Sequence, residues 1–215
     1  CYIYSPMPIS PGRWGTFTRG REGDHQIIVK NDGHELGGYE NGRRGFVGTG
    51  WEIDSLSDGW HRLTVSAGCT EPSCSTRLVI YYIDGAEVAR TYYSSETDFF
   101  AIGNYQSGDQ PWRGPVFNFR IYDEMYAPVN LRPRPVQPLV AVDVDGLGNI
   151  VVYGTAAETA AATVQGSPTI VAGPSTRLDA IQFDTGAFVQ LGDNGVDTDN
   201  TWTVSYTHLR AHETS

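Results

Sequence analysis

Hydrophobic residues in this chain recur at a spacing of two, in runs of five to nine, and turn residues separate the runs. The segment IIVK-NDG-HELGGYE reads as strand, turn, strand, with Asn31-Asp32-Gly33 as the hairpin signal. GYENGRRGFVGTG repeats the arrangement around Asn41-Gly42. In WHRLTVSAG the pattern places His61, Leu63 and Val65 on one face and Arg62 and Thr64 on the other. RLVIYYIDG is apolar on both faces, which predicts a central strand ending at the Asp84-Gly85 turn. VFNFRIYDE alternates, with Phe117, Phe119 and Ile121 expected inward and Asn118, Arg120 and Tyr122 outward. LVAVDVDGLGNIVVYG, AIQFDTGAFVQLGDNG and TWTVSY continue the strand pattern in the second half. Between the halves lies APVNLRPRPVQPLV. Its four prolines exclude a central strand or a helix interior and predict a semi-extended linker.

Composition agrees with this reading. Twenty-five glycines and few long helix-period stretches suit an all-β chain of many short strands. A formal net charge of −10 disfavours phosphate backbones, so nucleic acid is excluded as a partner. No apolar run approaches the ~20 residues of a membrane-spanning helix. Cys69 and Cys74, in CTEPSC, are expected to clamp a hairpin loop as a disulfide, which implies an oxidising compartment and leaves Cys1 over. The chain opens without Met, inside a strand-like run, and is expected to be a piece of a longer protein. The end, SYTHLRAHETS, resembles a translated sequencing-adapter remnant, so residues 206–215 are expected to be a non-native tail.

The order of the pieces carries a resemblance. GWHRLTV, LVIYYIDGAEV, FFAIGNYQ and FNFRIYDEMYAP, with Trp60, Asp84-Gly85, Ile102-Gly103 and Arg120-Ile121-Tyr122-Asp123, resemble the back half of a laminin-G-like domain. LVAVDVDG, LDAIQFDTGAFVQLGD and TWTVSY resemble the front half of the same family. The resemblance implies a concanavalin A-like jelly-roll β-sandwich. It divides the chain into a back half at 1–127, a linker at 128–139 and the front half of a second copy at 140–205. CYIYSPMP reads as the natural continuation of TWTVS, so the halves are expected to close on each other as a circular permutant.

The resemblance points to an extracellular or cell-surface module in a tandem array, with glycan or protein as its ligand and neighbouring repeats as partners. Candidate ligand residues lie in GNYQSGDQPWRG: Asn104, Gln106, Asp109, Gln110 and Trp112 combine planar amides with an aromatic face, the mixture that sugar hydroxyls and rings require. In LGDNGVDTDN, Asp193, Asn194, Asp197 and Asp199 offer oxygens to a calcium ion, although no EF-hand spacing is present. Asp24 and His25 enter a strand with no partner that suggests catalysis.

The catalytic branch of the same superfamily, the endo-glucanases, uses Glu-x-Asp-x-x-Glu on a strand. Glu52 and Asp54 match the first two positions and share a face if extended, but Ser57 occupies the acid/base position. The chain is therefore expected not to be an enzyme. A jelly-roll glycoside hydrolase and a ligand-free structural repeat are the alternatives.

Overall fold

The computed structural model describes residues 1–7, 12–69, 71–74, 76–93, 97–105, 107–112, 114–125, 137–175, 178–198 and 202–204. Residues 128–136 of the proline-rich linker and the 206–215 tail lie outside them. Before the linker run β1 (Tyr2–Ser5), β2 (Gly15–Arg19), β3 (His25–Val29), β4 (Glu35–Glu40), β5 (Gly45–Glu52), β6 (Gly59–Cys69), β7 (Arg77–Ile83), β8 (Ala86–Tyr93), β9 (Ala101–Ile102), β10 (Val116–Phe117) and β11 (Phe119–Tyr122). After it come β12 (Val140–Val144), β13 (Ile150–Tyr153), β14 (Thr163–Gln165), β15 (Thr169–Ala172), β16 (Asp179–Gln182), β17 (Phe188–Gln190) and β18 (Trp202–Val204). Two short 3₁₀ turns, at 53–55 and 157–161, are the helical elements among the described residues. None is long and apolar enough to cross a membrane.

The fold is all-β, with curled antiparallel sheets arranged as in a β-sandwich. The larger sheet runs β13-β12-β11-β18-β6-β1-β10-β16-β15, with β7 and β8 branching from β6. The smaller runs β14-β17-β9-β2-β3-β4-β5. Both sheets contain strands from both sides of the linker. Their inward faces meet in one core, where Leu63, Val65, Ile121 and Val204 of the larger sheet join Phe17, Ile27, Leu36 and Val189 of the smaller. Aromatic packing concentrates there: Phe17 lies 4.6 Å from Trp112, and Phe99 meets Trp202 edge-on at 5.3 Å. Each buried side chain of this size contributes roughly 1.5–3 kcal/mol relative to exposure.

Two short strands share one edge of β6. β18 pairs Trp202 with Ala67 and Val204 with Val65. β1 pairs Tyr2 with Arg62 and Ser5 with Gly59. Cys1 exchanges backbone hydrogen bonds with Leu63, at 3.0 and 3.3 Å. Along β6, Thr64 alone separates the stretch paired with residues 1–5 from the stretch paired with 202–204. Polar ties also cross between the halves. Arg120 forks onto Asp143 at 3.1 and 2.5 Å, and Thr203 donates to the Glu124 carbonyl at 2.6 Å.

The hairpins around Asn31-Gly33, Asn41-Gly42 and Asp84-Gly85 form as the pattern predicts. Cys69 and Cys74 form a disulfide with Cα atoms 5.0 Å apart, and Cys1 is a buried free thiol. One alternation is corrected. Asn118 adopts φ 55° and divides VFNFRIY into two strands. The parity resets there, so Val116 joins the core while Phe117 stays half-buried against Tyr2, 6.0 Å away.

Candidate functional site

On the outer side of the smaller sheet, a cavity of about 210 Å³ is lined by Trp14, Gly23, His25, Ile28, Tyr39, Asn41, Tyr105 and Gln110. A register shift between His25 and Ile28 sets its floor. In an unbroken strand, residues 25 and 27 share a face. With the irregularity, Ile27 enters the core while His25 and Ile28 line the cavity. Tyr39 stands directly opposite His25 on β4, with the two rings edge to face at 5.6 Å. Trp14 meets Tyr39 edge-on at 5.9 Å and Phe46 at 5.4 Å. Tyr105 stacks on His25, 5.6 Å apart and 20° from parallel, and carries the Arg19 guanidinium 4.9 Å from its centroid.

A short polar chain fixes the floor. Thr16 Oγ1 lies 3.1 Å from His25 Nδ1 and donates to Gln110 Oε1 at 3.1 Å. Its single proton is committed to Gln110, so His25 Nδ1 is the donor of the pair. Burial, with the Arg19 charge adding to it, pushes the His25 pKa down to about 3, so the ring is neutral at physiological pH.

The 103–112 loop is held by Asn104, which is fully buried. Its amide donates to the carbonyls of Asp184 and Ala187, at 3.3 and 3.2 Å, and its oxygen accepts from the backbone of Tyr105 and Gln110, at 2.8 and 3.0 Å. Two glycines allow the close approach. Gly103 has φ 89° and Gly108 φ 77°. A Cβ on either would fall 2.3 Å from the Phe183 ring or 2.5 Å from the Gly186 backbone. On the opposite rim, Asn41 is held by its N–H on Asp24 at 2.6 Å and by its side-chain amide on the Glu22 carbonyl at 2.8 Å.

The sequence-derived ligand residues separate in space. Gln110 lines the cavity and Asn104 builds the loop behind it. Asp109 is exposed and accepts from the Ser107 hydroxyl. Gln106 lies outside the described residues. Trp112 corrects the expectation: it is fully buried against Phe17, so it packs the core and presents no face to a ligand. Trp14, His25, Tyr39, Asn41 and Tyr105 belong to the cavity but stood outside the sequence-derived set. The signal for them lay in aromatics beside turn residues, at Trp14 and Tyr39.

Asp193, Asn194 and Asp197 are exposed, and the Asn194 oxygen accepts from Arg21 at 3.3 Å. Asp199 lies outside the described residues. Among the described residues no group of three His, Cys, Asp or Glu side chains converges to hold a metal ion.

Glu52 ends β5, whereas Asp54 sits in the 53–55 turn. The extended geometry that would align the two is therefore missing. Asp54 pairs with His34. Glu52 faces Glu35 across β4 and β5, and the Glu35 carboxylate accepts from Gly50 N–H at 2.6 Å.

Spacing hides a second constellation, Ser57, His61 and Asp84. His61 Nδ1 lies 2.8 Å from Asp84, while Nε2 lies 2.9 Å from the Ser57 carbonyl and 3.4 Å from the Ser57 hydroxyl. Both ring nitrogens thus face stronger acceptors than the hydroxyl, which favours imidazolium and leaves no lone pair to take the serine proton. Burial lowers the His61 pKa, but the Asp84 hydrogen bond, the Ser57 carbonyl and the Asp84 charge outweigh it and raise it overall. The group clamps the start of β6 to the β7–β8 turn. Because the folded value is raised, this stabilisation is complete below the ordinary histidine range and fades as pH rises through the folded value.

Comparison of the chain with protein-family models, with curated proteins and with solved structures finds no match.

Proposed function

We propose that this chain is a non-catalytic glycan-binding module of the concanavalin A-like, laminin-G-like sandwich class, acting outside the cell or on its surface. The cavity on the smaller sheet carries the reading. It brings three aromatic side chains and two amides around a neutral histidine, which suits a ring with an apolar face and a hydroxylated edge. Among the described residues its lining contains no carboxylate, which favours binding over hydrolysis by a carboxylate pair. The Cys69–Cys74 disulfide supports an oxidising compartment. The shared edge of β6 supports closure of the two halves as a circular permutant of a jelly roll.

A glycan array probed with the full chain, with and without calcium, tests the function. Binding to at least one glycan, lost about tenfold or more in Trp14→Ala, is the expected result, since aromatic anchors dominate such contacts. Silence under both conditions would leave a structural repeat without a ligand.

A further inference from the structure

Taking the cavity as a glycan site, its chemistry narrows the ligand. We infer that it admits a single uncharged sugar ring, reading its hydroxyls through Asn41 Oδ1, His25 Nε2 and Gln110 Nε2, and that it rejects acidic sugars. Three observations lead there.

The first is size. About 210 Å³ falls below the roughly 300–1,000 Å³ of drug-sized pockets, so the space takes one ring and leaves the rest of a longer glycan outside.

The second is the polar inventory. Gln110 gives its oxygen to Thr16, which leaves its NH₂ as donor. Asn41 gives its NH₂ to the Glu22 carbonyl, which leaves its oxygen as acceptor. His25 is engaged through Nδ1, so Nε2 keeps its lone pair. These three atoms have no hydrogen-bond partner among the described residues, and none is sealed in the protein. Two acceptors and one NH₂ donor match neighbouring hydroxyls, each of which both gives and receives.

The third is charge. Among the described residues no cation lines the cavity. Arg19 is 1% exposed and packed against Tyr105. A carboxylate or sulfate would meet two acceptors in a chain of net charge −10, with no cation among the described lining residues to pair it. A quaternary ammonium would find aromatic faces, but it would leave all three polar atoms unsatisfied and sit near the Arg19 charge.

Calorimetry with the full chain decides the matter, using methyl pyranosides of neutral hexoses and of N-acetylhexosamine, the methyl glycoside of a hexuronic acid, N-acetylneuraminic acid, and choline. A neutral pyranoside should bind at least tenfold tighter than either acid or choline. Gln110→Glu keeps the acceptor for Thr16 but replaces the donor with a negative charge, and should weaken that binding about tenfold or more, while Glu87→Ala, exposed on β8 of the larger sheet, leaves it unchanged. Saturation-transfer contacts from Trp14 and Tyr39 to the sugar should be present in the parent chain, which secures the assignment if the variant fails to fold. Equal or tighter binding of an acid or of choline, or an indifferent and folded Gln110→Glu, overturns the inference. If the array reports glycans that bind only through acidic residues, this inference fails and the module reading stands; if it reports nothing, both fail.

Discussion

His25 folds without the proton it would carry in an unfolded chain at mildly acidic pH. Its pKa falls from the ordinary 6.5 to about 3, because the ring is buried and Arg19 lies near. Between those values the unfolded state binds one proton more than the folded state. Stability must therefore fall as pH drops through this window, by ~1.4 kcal/mol per pH unit from this residue. Urea titrations from pH 6.5 to 4 should show a steeper loss for the parent chain than for His25→Gln, by close to one proton. Parallel curves would mean that the ring takes up its proton in the folded state. His61 has the opposite sign, so its contribution fades on the alkaline side. Residue identity alone did not separate these roles. Trp112 is the tryptophan expected at the ligand, yet it is sealed against Phe17, and Trp14, outside the expected set, walls the cavity. What distinguishes them is the path of the loop that each belongs to, and that path is set by residues far away in the chain.

At the scale of elements, the hairpins were legible because period-two alternation and Asn-Gly or Asp-Gly turns are local signals. The departures were not: two are changes of strand parity by one residue and the third is a turn that ends a strand. The shift in β3 turns His25 and Ile28 to one face. Asn118, at φ 55°, sends Val116 inward instead of Phe117. The 53–55 turn parts Asp54 from Glu52. Hydrophobic pattern does not mark such positions, because each is stabilised by contacts distant in sequence. The 103–112 loop is the functional case. It is organised by one buried amide on the 184–187 turn, so Gln110 and Tyr105 reach the cavity only while Asn104 holds them. Asn104→Ala should leave two loop N–H groups and two carbonyls without their partner. That should cost about 2–3 kcal/mol of stability, and should weaken sugar binding with no contact to the ligand removed. Urea denaturation and calorimetry on the same sample read both effects. A loss of stability with affinity intact would separate the loop from the site.

At the scale of the whole molecule, the question is how strands from the two sides of the linker close one sandwich. The resemblance in sequence suggested the order, but a pairing such as Trp202 with Ala67, whose positions lie far apart in the chain, leaves no local trace. The geometry on β6 offers a quantitative test. Val204 faces Val65 and Cys1 faces Leu63, so one position, opposite Thr64, separates them. Burial is in phase across the gap: Val204, Cys1 and Ile3 are all fully buried. A single residue between Val204 and Cys1, which Ser205 supplies, preserves that alternation. A rearranged chain running 137–205 and then directly into 1–125 would turn β18 and β1 into one continuous strand along β6. It should fold with the Cys69–Cys74 bridge intact and be at least as stable as the parent. The closing connection across 126–136 is exchanged for a peptide bond within a strand, a gain of order 1 kcal/mol in loop entropy. The same rearrangement with Ser205 deleted should lose several kcal/mol, because a slip of one residue turns one strand's buried side chains toward solvent. Urea midpoints of the three chains decide it. If the rearranged chain fails to fold, or if deleting Ser205 makes no difference, the two strands are neighbours on β6 without being halves of one strand, and the permuted sandwich falls with that result.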